Sequence, residues 1–139
     1  MRACFAWRLQ AEFCTTVKTP TIRLNQATQE FYTDERCYIT ELSNSPDDPD
    51  VSIAKARVEP GVTTEWHQLV DTTERYCILS GTGLVEVGEL PPQQVTTGDM
   101  VLIPPLCRQR ITNTGTDDLV FMAICSPRFQ RENYTVVTR

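Results

Sequence analysis

A single histidine and a nearby glutamate are the residues of this sequence best suited to chemistry. His67 is the only histidine in the chain, and Glu74 follows it seven residues later. An imidazole and a carboxylate can exchange protons with a bound molecule, and both side chains are common ligands of divalent transition metals. They can equally form a hydrogen-bonded pair that satisfies two buried polar groups, because an isolated buried carboxylate is costly.

Turn and strand signals around these two residues predict how the fold presents them. Gly61 and Gly81 bracket the stretch, and glycine readily adopts the backbone angles of tight turns. Residues 76–79 have the aromatic and aliphatic character of a buried strand. The turn at residues 80–83 is expected to close a hairpin whose second arm is Leu84 to Val87. The histidine and the glutamate should therefore lie on neighbouring strands.

The rest of the chain also has the pattern of short strands. Gly, Pro, Asn and Asp turns separate them, and no convincing long helix interrupts the series. This pattern predicts an all-β sandwich or barrel. Among the expected strands are Thr21 to Leu24, Glu35 to Leu42, Val51 to Val58 and Leu119 to Cys125.

One domain accounts for the 139 residues, which are enough to bury a sizeable core. The strand pattern assigns residues 21–126 to the barrel. Residues 1–20 are expected to be a leader that is either a short helix or disordered. Residues 127–139 are expected to be a C-terminal tail in which Phe129 and Tyr134 can dock.

Charge and cysteine content disfavour several function classes. The formal net charge is −5, and the chain lacks the clustered Lys and Arg that bind nucleic-acid phosphates or anionic membranes. No stretch approaches the length of a transmembrane helix. The six cysteines form no C-x-x-C pair, so a zinc ribbon or a redox dithiol is not expected. We interpret them as reduced thiols that pack like small hydrophobic residues, which indicates a cytoplasmic protein.

The stretch around His67 resembles the first motif of small single-domain cupins. That motif has Gly, five residues, His, one residue, His, three or four residues, Glu, six residues and Gly. Gly61, His67, Glu74 and Gly81 occupy their slots at the right spacings, whereas Leu69 stands in the slot of the second histidine.

A second cupin motif follows, defined by Gly, five residues, Pro, one residue, Gly, two residues, His, three residues and Asn. Gly98, Pro104 and Asn113 fit, whereas Leu106 takes the glycine slot and Gln109 the histidine slot. The resemblance implies a cupin-type double-stranded β-helix, which is a jelly-roll barrel. Cupins include dioxygenases, isomerases, epimerases, storage proteins and regulators, so the fold alone does not name a reaction.

The resemblance also implies where a metal would bind. Cupins use the two histidines and the glutamate of the first motif and the histidine of the second. The matching donors here are His67, Glu74 and Gln109, and Leu69 supplies none. A tight site with the full ligand set is therefore not expected, and no cofactor is certain. A reduced site completed by water could hold a divalent metal such as Mn, Fe, Ni or Zn. We prefer a metal-free polar cluster of the same three residues.

Strand alternation predicts the surroundings of this cluster. If Glu74 faces the barrel interior, Tyr76 and Ile78 share its face, and Gln109 shares a face with Ile111. A mostly apolar pocket with a few polar groups follows, as is usual for small-molecule sites. The residues expected in it are Leu69, Ile78, Gln109 and Ile111.

Three side chains are the catalytic candidates. His67 can act as a general base, and Tyr76, beside Glu74, can act as an acid. This requires that His67 and Tyr76 both reach one substrate. Alternatively, Tyr76 is a core residue whose hydroxyl lies near the rim of the barrel.

Two functions from different classes are consistent with these residues. The first is a cupin that binds a small molecule in the barrel pocket without a tight metal. The alternative is a metal-dependent cupin enzyme, of oxygenase or isomerase type, with the reduced site of His67, Glu74 and Gln109. Small cupins commonly pair through their sheets, so the resemblance implies a homodimer.

Overall fold

The computed structural model describes residues 19–25 and 28–138. The expected leader, residues 1–20, therefore lies almost wholly outside the described residues. Residues 19–24 are irregular, so the strand expected at Thr21 to Leu24 is wrong. Ile22 and Leu24 are both exposed, which means that neither offers the buried face that a strand needs against a sheet.

The described residues form eleven β-strands and a short 3-10 helix, Arg131–Asn133, which confirms the prediction of an all-β fold. No helix within these residues is long and apolar enough to cross a membrane. The strands are β1 (Phe31–Tyr32), β2 (Tyr38–Ser43), β3 (Ser52–Val58), β4 (His67–Leu69), β5 (Thr73–Ser80), β6 (Thr82–Val87), β7 (Gln93–Thr96), β8 (Met100–Ile103), β9 (Gln109–Asn113), β10 (Leu119–Ser126) and β11 (Tyr134–Val136).

The strands pair into two antiparallel sheets. The larger sheet has the order β1-β2-β3-β10-β5-β8, and the smaller sheet has the order β11-β4-β9-β6-β7. Burial alternates along β5 and β9, because successive side chains of a strand point to opposite faces. The buried faces of the two sheets supply one core. Its most deeply buried members are Val58, Ile103, Ile111 and Leu119.

The expected hairpin between β5 and β6 is wrong. β5 pairs with β8 and β10 in the larger sheet, whereas β6 pairs with β7 and β9 in the smaller one. The turn at Gly81 therefore carries the chain from one sheet to the other. Gly81 has a φ of +85°, and a Cβ atom there would lie 2.7 Å from the backbone oxygen of Asp118. His67, on β4, belongs to the smaller sheet, and Glu74, on β5, belongs to the larger one. The expectation that they lie on neighbouring strands of one sheet is therefore also wrong.

The glycine slot of the second motif has a left-handed backbone although it holds leucine. Leu106 has a φ of +63°, and its side chain is exposed. Its backbone N–H donates to the carbonyl oxygen of Leu69 at 2.8 Å, which joins this turn to the end of β4. Glycine adopts such a φ without steric cost, and this accounts for the glycine of the motif.

The last strand belongs to the smaller sheet. β11 pairs with β4, with Tyr134 opposite Leu69 and Val136 opposite His67. Residues 127–139, expected as a tail, thus include a strand that lies beside the histidine. Tyr134, which was expected to dock, is held in the regular antiparallel pairing of β11 with β4.

Candidate functional site

His67 is held in one tautomer by the backbone. Its side chain is buried on β4, and Nδ1 lies 2.9 Å from the carbonyl oxygen of Glu65. Because a carbonyl oxygen only accepts hydrogen bonds, Nδ1 must carry the proton in this contact. In the neutral imidazole, Nε2 then has the free lone pair, which can accept a proton or bind a metal.

Glu74 and Gln109 connect the two sheets across the interior. The Gln109 Nε2 amide donates to Glu74 Oε2 at 2.6 Å, and Glu74 Oε1 lies 3.9 Å from the Cys125 thiol. Burial raises the pKa of Glu74, because a charged carboxylate loses its hydration inside the barrel. The positive charge that His67 can carry and the Gln109 amide act in the opposite direction.

Gln109 is fully buried and only half satisfied. Its amide nitrogen bonds to Glu74, whereas its Oε1 atom has no hydrogen-bond partner among the described residues. Its backbone is paired with that of His67 at the junction of β4 and β9. The side chain therefore lies behind the carboxylate and supports it from the smaller sheet.

Glu35 is a site residue that the sequence did not reveal. It was expected in a strand from Glu35 to Leu42, but that strand begins only at Tyr38 and Glu35 lies in the preceding turn. Its Oε2 atom is 3.9 Å from His67 Nδ1. Burial raises its pKa, and the charge of His67 opposes this shift. No motif spacing links the two residues, so only the folded chain brings them together.

Tyr134 is the second residue that the motifs did not include. Its ring stacks on the imidazole of His67, with 5.1 Å between ring centroids and an angle of 25° between the planes. Burial raises the pKa of its hydroxyl, which keeps the group protonated at neutral pH. The sequence indicated only that Tyr134 can dock, and it did not show which residue Tyr134 contacts.

These side chains meet at a cavity of about 140 Å³ that is partly open to solvent. Apolar side chains such as Phe31, Ile39 and Ala56 form much of its wall, and a smaller number of polar groups interrupt them. The residues of the sequence prediction that line it are His67, Leu69, Glu74 and Tyr76. The other three predicted pocket residues lie deeper. Gln109 is behind Glu74, and Ile78 and Ile111 belong to the hydrophobic core.

Two buried thiols also line the cavity. Burial raises the pKa of Cys37 to about 11 and raises the pKa of Cys125 still further. Thiols with such pKa values stay protonated at neutral pH and are poor nucleophiles. Cys37 and Cys125 therefore act as wall residues, in line with the packing role expected for the cysteines.

A larger and more open depression, of about 610 Å³, lies along residues 22–44. It contains Arg23 and Glu41 but lacks the imidazole and the buried carboxyls. We place the functional site in the smaller cavity, because titratable groups with shifted pKa values converge there.

The donor atoms do not match the metal site that the motif resemblance implies. Within residues 19–25 and 28–138, no group of three or more His, Cys, Asp and Glu side chains is placed to hold a metal ion. Gln109 turns its amide nitrogen, which is not a metal ligand, toward Glu74. Leu69 has no donor atom. These residues do not fit the full ligand set of a cupin metal site.

Solved structures of the same fold have diverse roles. KdgF from Halomonas sp. has a TM-score of 0.71 and 15% identity, over 82% of this chain and 99% of that one. Pac13 from Streptomyces, described as a unique nucleoside dehydratase, has a TM-score of 0.71 and 17% identity, over 86% of this chain and 92% of that one. The capsular polysaccharide assembling protein CapF from Staphylococcus aureus has a TM-score of 0.68 and 21% identity, over 81% of this chain and 34% of that one. These likenesses show the fold alone.

The family to which the chain belongs follows from a match to sequence as well as fold. No curated protein matches the chain. The family model described as a cupin domain, however, matches residues 54–125, which is slightly more than half of the chain. That range begins within β3, ends within β10 and contains both motifs. With its two antiparallel sheets and cupin-fold neighbours, the chain belongs to the cupin family.

Proposed function

We propose that this cupin binds a small molecule in the barrel cavity and transfers protons to and from it without a tightly bound metal. The observation that carries the proposal is the hydrogen bond from His67 Nδ1 to the Glu65 carbonyl. It leaves the Nε2 lone pair of a buried imidazole as a base, next to carboxyls whose pKa values are raised.

Tyr76 and Glu74 are the proton donors that best complement this base. They lie two residues apart on β5, and both line the cavity. Burial raises the pKa of Tyr76 well above 10, so its hydroxyl keeps its proton and donates hydrogen bonds at neutral pH. Burial also favours the protonated form of Glu74. One base and two groups that can donate a proton or a hydrogen bond can support an isomerisation or an elimination of water.

A dehydratase of the same fold gives this reaction class a precedent. Pac13 is described as a nucleoside dehydratase, and variants of it with a replaced histidine or tyrosine have been solved with uridine. Elimination of water requires removal of one proton and protonation of a leaving hydroxyl. The identity is too low to transfer the nucleoside, so we take only proton transfer as the proposed chemistry.

The tautomer of His67 is the first thing to test. Because His67 is the only histidine, its two ring nitrogens can be assigned without ambiguity in a long-range ¹H–¹⁵N NMR spectrum. We expect the proton on Nδ1 and a pyridine-like Nε2 in the neutral form. A proton on Nε2 would contradict the proposal, since the base would then face the Glu65 carbonyl.

Proton transfer itself can be tested before the substrate is known. A panel of small ring compounds is first screened by thermal shift with chelator-treated protein, and binders are then incubated in D₂O and followed by ¹H NMR. We expect exchange or turnover with the wild type and its loss in His67→Gln, with binding retained. Gln68→Ala, on the same strand, is the control. Undiminished exchange in His67→Gln would overturn the proposal.

The alternative is a metal-dependent cupin enzyme of oxygenase or isomerase type. The observation that favours it is the buried Gln109 Oε1 atom, which lacks a partner among the described residues. Elemental mass spectrometry of protein purified without a metal-affinity tag, for the wild type and Glu74→Gln, separates the two functions. Near-stoichiometric metal that disappears in the variant would support the alternative.

A further inference from the structure

The turn between β1 and β2 presents a carboxylate that lacks hydrogen-bond donors. Glu35 is half-buried at the cavity wall, 3.9 Å from His67 Nδ1. No hydrogen bond to its carboxylate is formed by the residues that the structure describes. Because 23% of the side chain is exposed, water can reach the carboxylate, and a ligand that displaces this water must replace its hydrogen bonds. A molecule bound in the cavity can supply the donors that the protein does not.

Arg36 and Glu65 fasten this turn to the segment that carries His67. Arg36 donates from Nε to the Thr63 carbonyl at 2.7 Å and from a terminal nitrogen to Glu65 Oε2 at 2.8 Å. The Glu65 N–H donates to the Glu35 carbonyl at 3.1 Å, and the Glu65 carbonyl accepts the Nδ1 proton of His67. One residue, Glu65, therefore fixes both Glu35 and His67.

The backbone of the turn is strained at the residue that follows Glu35. Arg36 has a φ of +66°, a left-handed conformation that costs a non-glycine residue about 1–2 kcal/mol. Its side chain is half exposed and paired outside, whereas the preceding Glu35 lines the cavity. Such strain persists only where the surrounding contacts hold it, and these are the contacts of Arg36.

The charges around the cavity favour one class of ligand. Among the described residues that line it, the carboxyls are those of Glu35, Glu41 and Glu74, and the basic groups are the guanidinium of Arg131 and the imidazole of His67. Burial raises the pKa values of Glu35 and Glu74, and a carboxyl is a strong hydrogen-bonding group in either protonation state. Ionised carboxylates in this wall repel an anionic ligand. An ammonium or a hydroxyl group can instead donate hydrogen bonds to the carboxyl oxygens.

The volume of the cavity limits the size of the ligand. A cavity of about 150 Å³ in another protein accommodates benzene. The volume here is about 140 Å³, which corresponds to a single six-membered ring. The apolar members of the wall, such as Leu69, Ala54 and Phe121, can contact the ring while the acidic groups contact its substituent.

We propose that Glu35 determines which ligands this site accepts, selecting a single-ring molecule with an ammonium or hydroxyl substituent and rejecting its anionic counterpart. The inference rests on the proposed function, because it assigns the ligand class of the same cavity. Arg36 and Glu65 are positioning residues, which act by holding Glu35 beside His67.

Three ring-sized probes test the proposal: cyclohexylammonium, cyclohexanol and cyclohexanecarboxylate. Their dissociation constants are measured by ligand-observed NMR at neutral pH and low salt. With the wild type we expect affinity to fall in that order, with about a tenfold difference between the charged probes. Glu35→Gln should abolish most of this difference. The matched control is Glu89→Gln, the same change at an exposed carboxylate that does not line the cavity.

Further variants separate positioning from stability. Arg36→Ala should reduce the ratio of the two charged-probe affinities, and Arg36→Lys should restore part of it, because the charge opposite Glu65 returns. If Glu35→Gln fails to fold, as judged by its thermal unfolding midpoint, Glu35→Asp keeps the charge and should preserve the order of the probes with weaker binding.

Three outcomes would overturn the inference: absence of binding by all probes, carboxylate binding as tight as ammonium binding, or an unchanged ratio in Glu35→Gln. None of them bears on His67, whose role is read from proton exchange in D₂O. Failure of the ligand class and failure of the proton-transfer function are therefore distinguishable.

Discussion

At the scale of single residues, Glu74 is a carboxyl whose charged form is disfavoured by burial inside the barrel. Within the part of the chain that the structure describes, one amide N–H and one thiol form hydrogen bonds with its carboxyl oxygens. Burial consequently raises its pKa above the ordinary value of 4.5. The folded protein binds a proton at Glu74 more readily than the unfolded chain does, so folding and ionisation of this residue are coupled.

The coupling predicts how stability depends on pH. Because the folded pKa is the higher one, the contribution of Glu74 is fully present below pH 4.5 and is lost as the pH rises through the raised value. We expect the free energy of unfolding, measured by urea denaturation from pH 4 to pH 8, to fall less with rising pH in Glu74→Gln than in the wild type. Glu35 contributes with the same sign, so some dependence should remain. Glu89→Gln should leave the profile unchanged, and a steeper profile in Glu74→Gln would contradict the prediction.

At the scale of elements, the motifs predicted the strands that carry His67, Glu74 and Gln109 but not the two elements that complete the site. The two motifs cover residues 61–81 and 98–113, and β4, β5 and β9 all lie within these two spans. Glu35 comes from a turn 32 positions before His67, and Tyr134 comes from β11, 67 positions after it. Contacts over such separations depend on tertiary packing, and a single sequence carries no periodic signal for them.

The glycine slot at residue 106 allows a test of local strain. Glycine would relieve the left-handed strain of Leu106, at the cost of greater freedom in the unfolded chain. Since the leucine side chain is exposed, we expect Leu106→Gly to raise the free energy of unfolding by up to about 1 kcal/mol. Leu106→Val, which adds branching at Cβ, should lower it. Chemical denaturation of both variants checks this, and a clear loss of stability in Leu106→Gly would contradict the assigned conformation.

At the scale of the whole molecule, the all-β barrel could be predicted from strand-like segments and motif spacing, whereas the sheet to which each strand belongs could not. A glycine turn shows that the chain reverses, but it does not show whether the next strand returns to the same sheet. Gly81 lies where the chain changes sheet, and the backbone of Asp118 leaves no room there for a Cβ atom.

Substitutions at two glycines can distinguish the energetic cost of a strained backbone from the cost of steric crowding. Gly81 and Gly61 both have positive φ, but no atom would lie within 4 Å of a Cβ on Gly61. We expect Gly61→Ala to cost about 1–2 kcal/mol through strain alone. Gly81→Ala should cost clearly more, since its Cβ would also meet the Asp118 backbone. Equal losses of the free energy of unfolding in the two variants, measured by urea denaturation, would contradict the close approach of the Asp118 backbone to Gly81.

The homodimer remains a prediction from the resemblance. Met100 and Leu102 on β8 are 59% and 53% exposed, at an end of the larger sheet. If the copies pair through this edge, the wild type should elute as a dimer in gel filtration and Leu102→Lys as a monomer. Elution of the wild type as a monomer would contradict the prediction.

The hydrogen bond between Gln109 and Glu74 links the two sheets across the interior, so its length follows the separation of the sheets. Substitutions that resize the core, at Ile103 or Leu119 for example, can change that separation while leaving every residue of the cavity wall in place. A descendant of this protein could therefore drift to a different ligand, or to a different acidity of its buried carboxyl, without any mutation in the site itself.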